Sequence, residues 1–375
     1  LEEPEGSKNS KLDETIEKTY NYYRKNKTNL TSWWEIVALT AAGEDVTKTP
    51  WKLPKWKSSD LEKDSPAVYY PEYILGLMAQ GEDPTNIWGR NLVEELRTKQ
   101  QGNGAFGAIN SHIWAIIALD AANADYNVEA AIQHLISQQK NDGGYAWGED
   151  NTPEEPGDPD MTGMALVALA NHRDIDGVEA TIARSLNYLR ESQLSTGGFA
   201  SWGTDNANSV ATVISGLVAV REDVLSDDWI KDGSTMLDAL QRFQQEDGSF
   251  AYGLAPENLK YKATDQAFIA LNDLKNQKSI WHTLSISHKK PNERDDEEPI
   301  SHPKEQERSE ETEKLMKKEG SKDREKLEVA KEDREVKHGA EEEKVKSPKT
   351  GDRGINNYIS AAIYLLINKK IAKQR

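Results

Sequence analysis

Gln139-Lys-Asn-Asp-Gly143-Gly144-Tyr145, followed by the apolar run 161–169, decides the fold, because the same pairing occurs four times. Gln101-Gly102-Asn103-Gly104-Ala105-Phe106 leads into 112–119. Gln193-Leu-Ser-Thr-Gly197-Gly198-Phe199 leads into 210–219, and Gln245-Glu-Asp247-Gly248-Ser-Phe250 into 263–271. A fixed element returning every ~40–54 residues marks repeated supersecondary units. Before the turns, Val178, Ile182, Leu186 and Leu189 keep a helical period, as do Ala131 and Leu135. After the turns the runs are apolar nearly all round, which predicts helices buried on every face. Glycine supplies the backbone angles of the turn. The aromatic of each turn (Phe106, Tyr145, Phe199, Phe250) is expected to plug it against the core.

Each unit thus reads as an amphipathic outer helix and a buried inner helix. Two earlier runs, 33–39 and 73–79, fit the inner type without a glycine turn, making six. Outer helices are expected at 12–23, 86–99, 128–139, 178–193 and 234–245, with a partial one after Asn272. Six pairs closing on themselves give an all-α fold, an α6/α6 toroid. An open superhelix is the alternative, opposed by the uneven repeat length and the lack of polar end caps.

Every glycine turn runs from an outer-helix end to an inner-helix start, so the turns share one rim. Polar residues gather at the same places: Asn110, Ser111 and His112; Asp158, Asp160 and Thr162; Asn206, Asn208 and Ser209; Thr264, Asp265 and Gln266. Converging polar groups at the mouth of an apolar barrel are a common plan for a small-molecule pocket. Capping of each helix start is the competing role, most directly for Asp158 and Asp160. The ligand-binding candidates are Asp158, Asp160, Asn206, Asn208, Asp265, Gln266 and His112, with Trp147 and Trp202 as stacking surfaces. Trp34 and Trp114 lie inside inner runs and are expected to pack. Trp51 and Trp56, in a Pro/Lys-rich loop, read either as exposed platforms or as a latch over the barrel. The acidic loop 149–160 has oxygen ligands for calcium but not the alternation of a calcium loop, so a solvated loop is favoured.

The turn residues, clearest in Gln139…Gly144-Tyr145-Ala146-Trp147 and Gln193…Gly198-Phe199…Trp202, resemble the internal repeat of the terpenoid cyclase and protein prenyltransferase α/α-toroid superfamily, also described as prenyltransferase/squalene oxidase repeats. The phrases Asp158-Pro-Asp160-Met-Thr162, Asn206-Ala-Asn208-Ser209 and Ala263-Thr264-Asp265-Gln266 are similar to a Gram-positive surface branch. That branch is related to the α-domain of the cobalamin carriers transcobalamin and intrinsic factor. The resemblance covers about residues 10–285, implies the toroid, and suggests cobalamin as ligand. The carriers add a β-rich domain, for which no strand pattern appears after residue 285.

The superfamily's catalytic sets do not map onto this chain. Prenyltransferases hold zinc with Asp, Cys and His; this chain has no cysteine and seven scattered histidines. Squalene-type cyclases use Asp-x-Asp-Asp, but the fourth position here is Met161. The thioester relatives need a cysteine. No catalytic residue, cofactor or metal is assigned. A glycosidase or lyase using two of Asp158, Asp160, Asp205 and Asp265 stays open as an alternative, as does an adhesin.

The net charge is −17, and the residues before 288 carry slightly more than all of it, offset by the basic end. Such a globule repels nucleic acid and anionic membranes. Residues 1–285 are read as the toroid and 286–346 as a charged stalk, too poor in large apolar residues to build a core. Residues 347–375 are read as a sorting signal: Ser347-Pro348-Lys349-Thr350-Gly351, then an apolar run, then a basic end. This order resembles a Gram-positive sortase signal, which implies cleavage between Thr350 and Gly351 and linkage of Thr350 to peptidoglycan. The apolar run would enter the membrane only transiently, with the cationic end on the cytoplasmic side; it is about ten residues, short of a full span. The chain begins at Leu1 without Met, which suits removal of a signal peptide. The expectation is an extracellular, cell-wall-anchored protein binding a small molecule, peptide or glycan.

Overall fold

The computed structural model describes residues 5–148, 152–254 and 263–286. The stalk and sorting signal expected further on lie outside the described residues. The helices are α1 (Glu5–Asn26), α2 (Trp33–Ala41), α3 (Tyr70–Ala79), α4 (Leu92–Arg97), α5 (Ile109–Ala121), α6 (Val128–Ser137), α7 (Pro159–Leu169), α8 (Val178–Ser192), α9 (Ala207–Ala219), α10 (Met236–Gln241), α11 (Ala263–Asn276) and α12 (Ile280–Thr283). A two-residue antiparallel hairpin, β1 (Ala200–Ser201) and β2 (Thr204–Asp205), precedes α9.

The inner helices form a closed ring. α2 packs on α3, α3 on α5, α5 on α7, α7 on α9, α9 on α11, and α11 returns to α2. These are the six runs whose apolar character has no polar face, and their residues are almost wholly buried. Around them lie α1, α4, α6, α8 and α10. Between α2 and α3 the outer layer is a segment with two short 3-10 turns, 58–60 and 67–69. Pro50, Pro54 and Pro66 deny that segment a continuous helix. The stretch after Asn272 is not a partial outer helix. α11 continues to Asn276, the chain turns through Gln277 at φ 50°, and α12 packs against α5.

The repeat works through backbone contact. Gly248 has φ +88°, and a Cβ there would stand 2.1 Å from the Lys18 carbonyl oxygen of α1. Only glycine lets the turn reach the next outer helix. A glutamine staples each junction: Gln139 Nε2 donates to the carbonyls of Gly143 and Thr181, both at 2.9 Å. Gln193 Nε2 donates likewise to Gly197 and Trp229. In the first and fourth turns the staple is Gln100 or Gln244, one residue before the glutamine that the sequence pattern marks. The aromatic plugs are all buried.

The last junction closes the outer layer. Gln244 Nε2 donates to the Thr15 carbonyl and Thr19 Oγ1, and Gln241 Nε2 donates to Thr15 Oγ1. Thr19 Oγ1 donates to the Gly248 carbonyl at 3.0 Å.

Four tryptophans cluster at the axis of the ring: Trp33 and Trp34 of α2, Trp114 of α5 and Trp281 of α12. α12 sits at the C-terminal ends of the inner helices. Its first N–H, from Ile280, donates to Asp273 Oδ1 of α11 at 2.7 Å, and His282 Nε2 donates to the Val167 carbonyl of α7. The loop carrying Trp51 and Trp56 is a latch. Trp51 is buried and donates to Glu44, and Trp56 lies over Gly76 and against Tyr73.

Candidate functional site

The glycine rim brings the starts of α7 and α9 together. A Cβ on Gly163 would stand 2.7 Å from the Thr212 carbonyl, so the two backbones touch because residue 163 has no side chain. Above this contact lie Asp158 and Asp160 on one helix, and Asn206, Asn208 and Ser209 on the other.

Asp158 caps α7. One of its oxygens accepts the N–H groups of Asp160 and Met161, and the other accepts the Ser201 hydroxyl at 2.6 Å. Burial pushes its pKa up, against those hydrogen bonds. Asp160 is placed differently. Its Oδ1 is shut off from water and has no partner. Burial first and the Asp158 charge second push it up to about 8, with the Ser209 hydroxyl opposing. Asn206 is spent on structure: it caps α9 through the Ser209 N–H and donates to Thr204 and Ser209. Asn208 Oδ1 is buried without a partner. Asn110, Asp160 and Asn208 are each the second residue of their inner helix, and each keeps an unpartnered oxygen. Gln266 of α11, one of the residues lining a narrow cavity on the ring axis, keeps a fourth.

Two predicted residues do not join this group. Asp265 accepts the Tyr23 hydroxyl of α1 and acts on Lys27, so it belongs to the α1–α11 seam. His112 is fully buried in the wall. Its Nδ1 accepts the Phe106 N–H at 3.2 Å, and its Nε2 donates to the Ala131 carbonyl at 3.0 Å. Thr162 and Thr264 do the same for the N–H groups of Tyr145 and Phe250. His112 is therefore a turn brace, and burial holds its pKa down at about 4.

Trp147 lies half-buried beside Asp158. Trp202, also half-buried, forms the tip of the β1–β2 hairpin with Gly203, both residues at positive φ. Bulky residues seldom adopt that conformation. Sequence reasoning missed Tyr252. Its carbonyl accepts the Ala207 N–H at 2.9 Å, which sets its loop against the start of α9. Its phenol is raised by burial and then by the charges of Asp160 and Asp158. Asp205 is half-spent on Arg242 and Thr196. In the acidic loop, Lys140 pairs with Glu155 at 2.8 Å, the role a bound cation would take. Among the described residues no group of three or more His, Asp or Glu is arranged to hold a metal ion.

The axial cavity holds about 30 Å³. That is room for one or two waters. A larger open groove of about 410 Å³ lies between α1 and the ends of α2 and α11, and none of the predicted residues lines it.

No protein family matches the chain, and no curated protein does. Among solved structures, a polysaccharide lyase is similar with a TM-score of 0.45 at 10% identity, over 72% of this chain and 98% of that one.

Proposed function

We propose that this protein is a non-catalytic binding module that captures a small, donor-rich ligand, such as a glycan or peptide end, where α7 and α9 meet. One observation carries the reading: Asp160, Asn208 and Gln266, on consecutive inner helices, each keep an oxygen with no partner. A buried acceptor left unmade costs about 1–3 kcal/mol. Ligand hydroxyl or N–H groups would recover that cost. Trp147 and Tyr252 lie near Asp158 and Asp160, and Trp202 at the hairpin tip would add a third ring surface. The narrow axial cavity favours a ligand seated on the rim with only a small group pointing inward, so a corrin ring is not the ligand proposed. We further propose, from the Ser347–Gly351 motif and the basic end, that Thr350 links the chain to peptidoglycan. Mass spectrometry of cell-wall digests tests that link, and wall fragments without the Thr350 peptide would count against it.

Calorimetric titration of the full chain against neutral glycans and short peptides tests the mouth. Asp160→Asn and Asn208→Ala should each weaken binding about tenfold, the value of one charge-assisted or buried hydrogen bond. Unchanged affinity in both variants rejects the site. A second reading, a glycoside-cleaving enzyme, is favoured by Asp160, whose pKa is raised by burial and by the charge of Asp158, the carboxylate that caps α7. Reducing ends released by the native chain and not by Asp160→Asn would select it.

A further inference from the structure

The ring axis is not simply filled. Trp34, Trp114 and Trp281 stand nearly perpendicular to one another, with centroids 5.1–5.6 Å apart and interplanar angles of 83–89°. They line the cavity of about 30 Å³ together with Thr212, Ser215 and Gln266. Interiors normally pack without such gaps.

Three side chains on this wall keep an oxygen that can accept, beside the indole N–H donors of Trp34 and Trp114. The Thr212 hydroxyl spends its proton on the Asn208 carbonyl at 2.9 Å. The Ser215 hydroxyl spends its proton on Asp273 Oδ2 at 2.9 Å. Gln266 Oε1 has no partner. Each of the three thus has an oxygen that can accept, and a primary ammonium carries three donors. Behind Ser215, the Asp273 carboxyl is 1% exposed and takes hydrogen bonds only from Ser215 and the Ile280 N–H. Among the described residues no cation pairs with it. Burial raises it to about 8, so without a positive neighbour it stays neutral. Aromatic rings attract a desolvated cation through their π faces, and the negative chain concentrates cations around itself.

We infer that the axial cavity is a subsite for a primary ammonium group, caged by Trp34, Trp114 and Trp281 and balanced by Asp273 through Ser215. The inference rests on the mouth reading for the path of approach past Gln266, though the cavity stands without it. Size sets the selectivity. An –NH3+ group occupies about the space of a water, whereas a quaternary ammonium does not fit. The ligand class is therefore a molecule with an unsubstituted amine, such as an amino sugar or a peptide amine.

The test uses the full chain and tryptophan emission, at matched ionic strength and neutral pH. Methylammonium chloride should give a saturable change in emission, and tetramethylammonium chloride and methanol should not. Ser215→Ala and Asp273→Asn should each weaken the methylammonium response at least tenfold. If Asp273→Asn loosens α12 and fails to fold, the Ser215→Ala titration and the native amine series still decide. No saturable response to methylammonium, or an equal response to tetramethylammonium, overturns the cage. Glycan binding that depends on Asp160 and Asn208 in a chain blind to methylammonium overturns the cage and leaves the mouth standing. A methylammonium response in a chain whose Asp160→Asn and Asn208→Ala variants bind glycans normally does the reverse.

Discussion

The two ends of the inner ring are finished in opposite ways. At the end where the inner helices start, glycine turns bring backbones into contact and leave acceptor oxygens on Asp160, Asn208 and Gln266 without partners. At the other end, α12 crosses the ring, and Asp273 and the Val167 carbonyl each meet a donor from it. One end is built by backbone and leaves side chains over. The other is closed by side chains. Buried groups without partners occur at both ends, Gln80 Nε2 and Ser279 Oγ at the closed one, but at the mouth the idle oxygens line up on successive inner helices, so that is where a function is sought.

The contrast can be broken by substitution, and the largest effect belongs to the turns. Gly248→Ala places a methyl group against the Lys18 carbonyl at a left-handed backbone position. It should cost on the order of 4–5 kcal/mol or more, the range reserved for severe backbone or core lesions. Denaturant titration showing under about 1 kcal/mol would mean the turn does not need its glycine. Next comes Trp281→Ala at the closed end, expected to cost about 3–5 kcal/mol for a buried aromatic removed from a packed cluster. A much smaller loss would show that α12 lies loosely on the ring.

Proton linkage gives a third measure. Asp160 and Asp273 rise from 3.8 to about 8 on folding, so the native state holds protons that the unfolded chain releases. Their contribution is fully present below about 4 and is lost as pH rises to about 8. His112 falls from 6.5 to about 4, so its contribution is present above about 6.5 and is lost as pH drops toward 4. Thermal melts should therefore peak in mildly acidic buffer and decline toward pH 8. A melting point that climbs steadily through that interval would contradict both buried acids. The smallest effect sharpens the comparison most. In buffer at or below about pH 4, Asp160→Asn removes a carboxyl with an idle oxygen and should change stability by less than about 1 kcal/mol, and the variant should gain on the native chain as pH rises from about 4 to about 8. Asp273→Asn, compared at the same acidic pH, must set an amide N–H against one of two donors and should cost about 1–3 kcal/mol. Equal losses in the two variants would erase the distinction between the ends.

The ring was readable in the sequence because its glycine turns recur and its inner helices are apolar throughout. α12 was not. Ile280 and Trp281 are too short a run to show a period, and their place depends on a turn at Gln277 and on Asp273 seven residues before. Proximity to a helix start misplaced Asp265, since about 100° of rotation per residue carries it to α1 while Gln266 lines the axial cavity. His112 looked like a polar rim residue. Aligning it with Thr162 and Thr264 across the repeats would have shown a shared acceptor for the turn N–H. Tyr252 follows a turn at the place held in other repeats by Trp147 and Trp202, a correspondence the pattern contains.

The hydrogen bonds that tie Thr15 and Thr19 to Gln241, Gln244 and Gly248 join the front of the ring to its last turn. An open array can gain or lose a unit at a free end and stay folded. A circle cannot, because an added unit leaves that seam unmatched and a deleted one leaves it strained. The number of units is frozen once the seam exists. Divergence among chains built this way must therefore run through loop length and the identity of the few residues facing inward, while the count around the circumference stays constant.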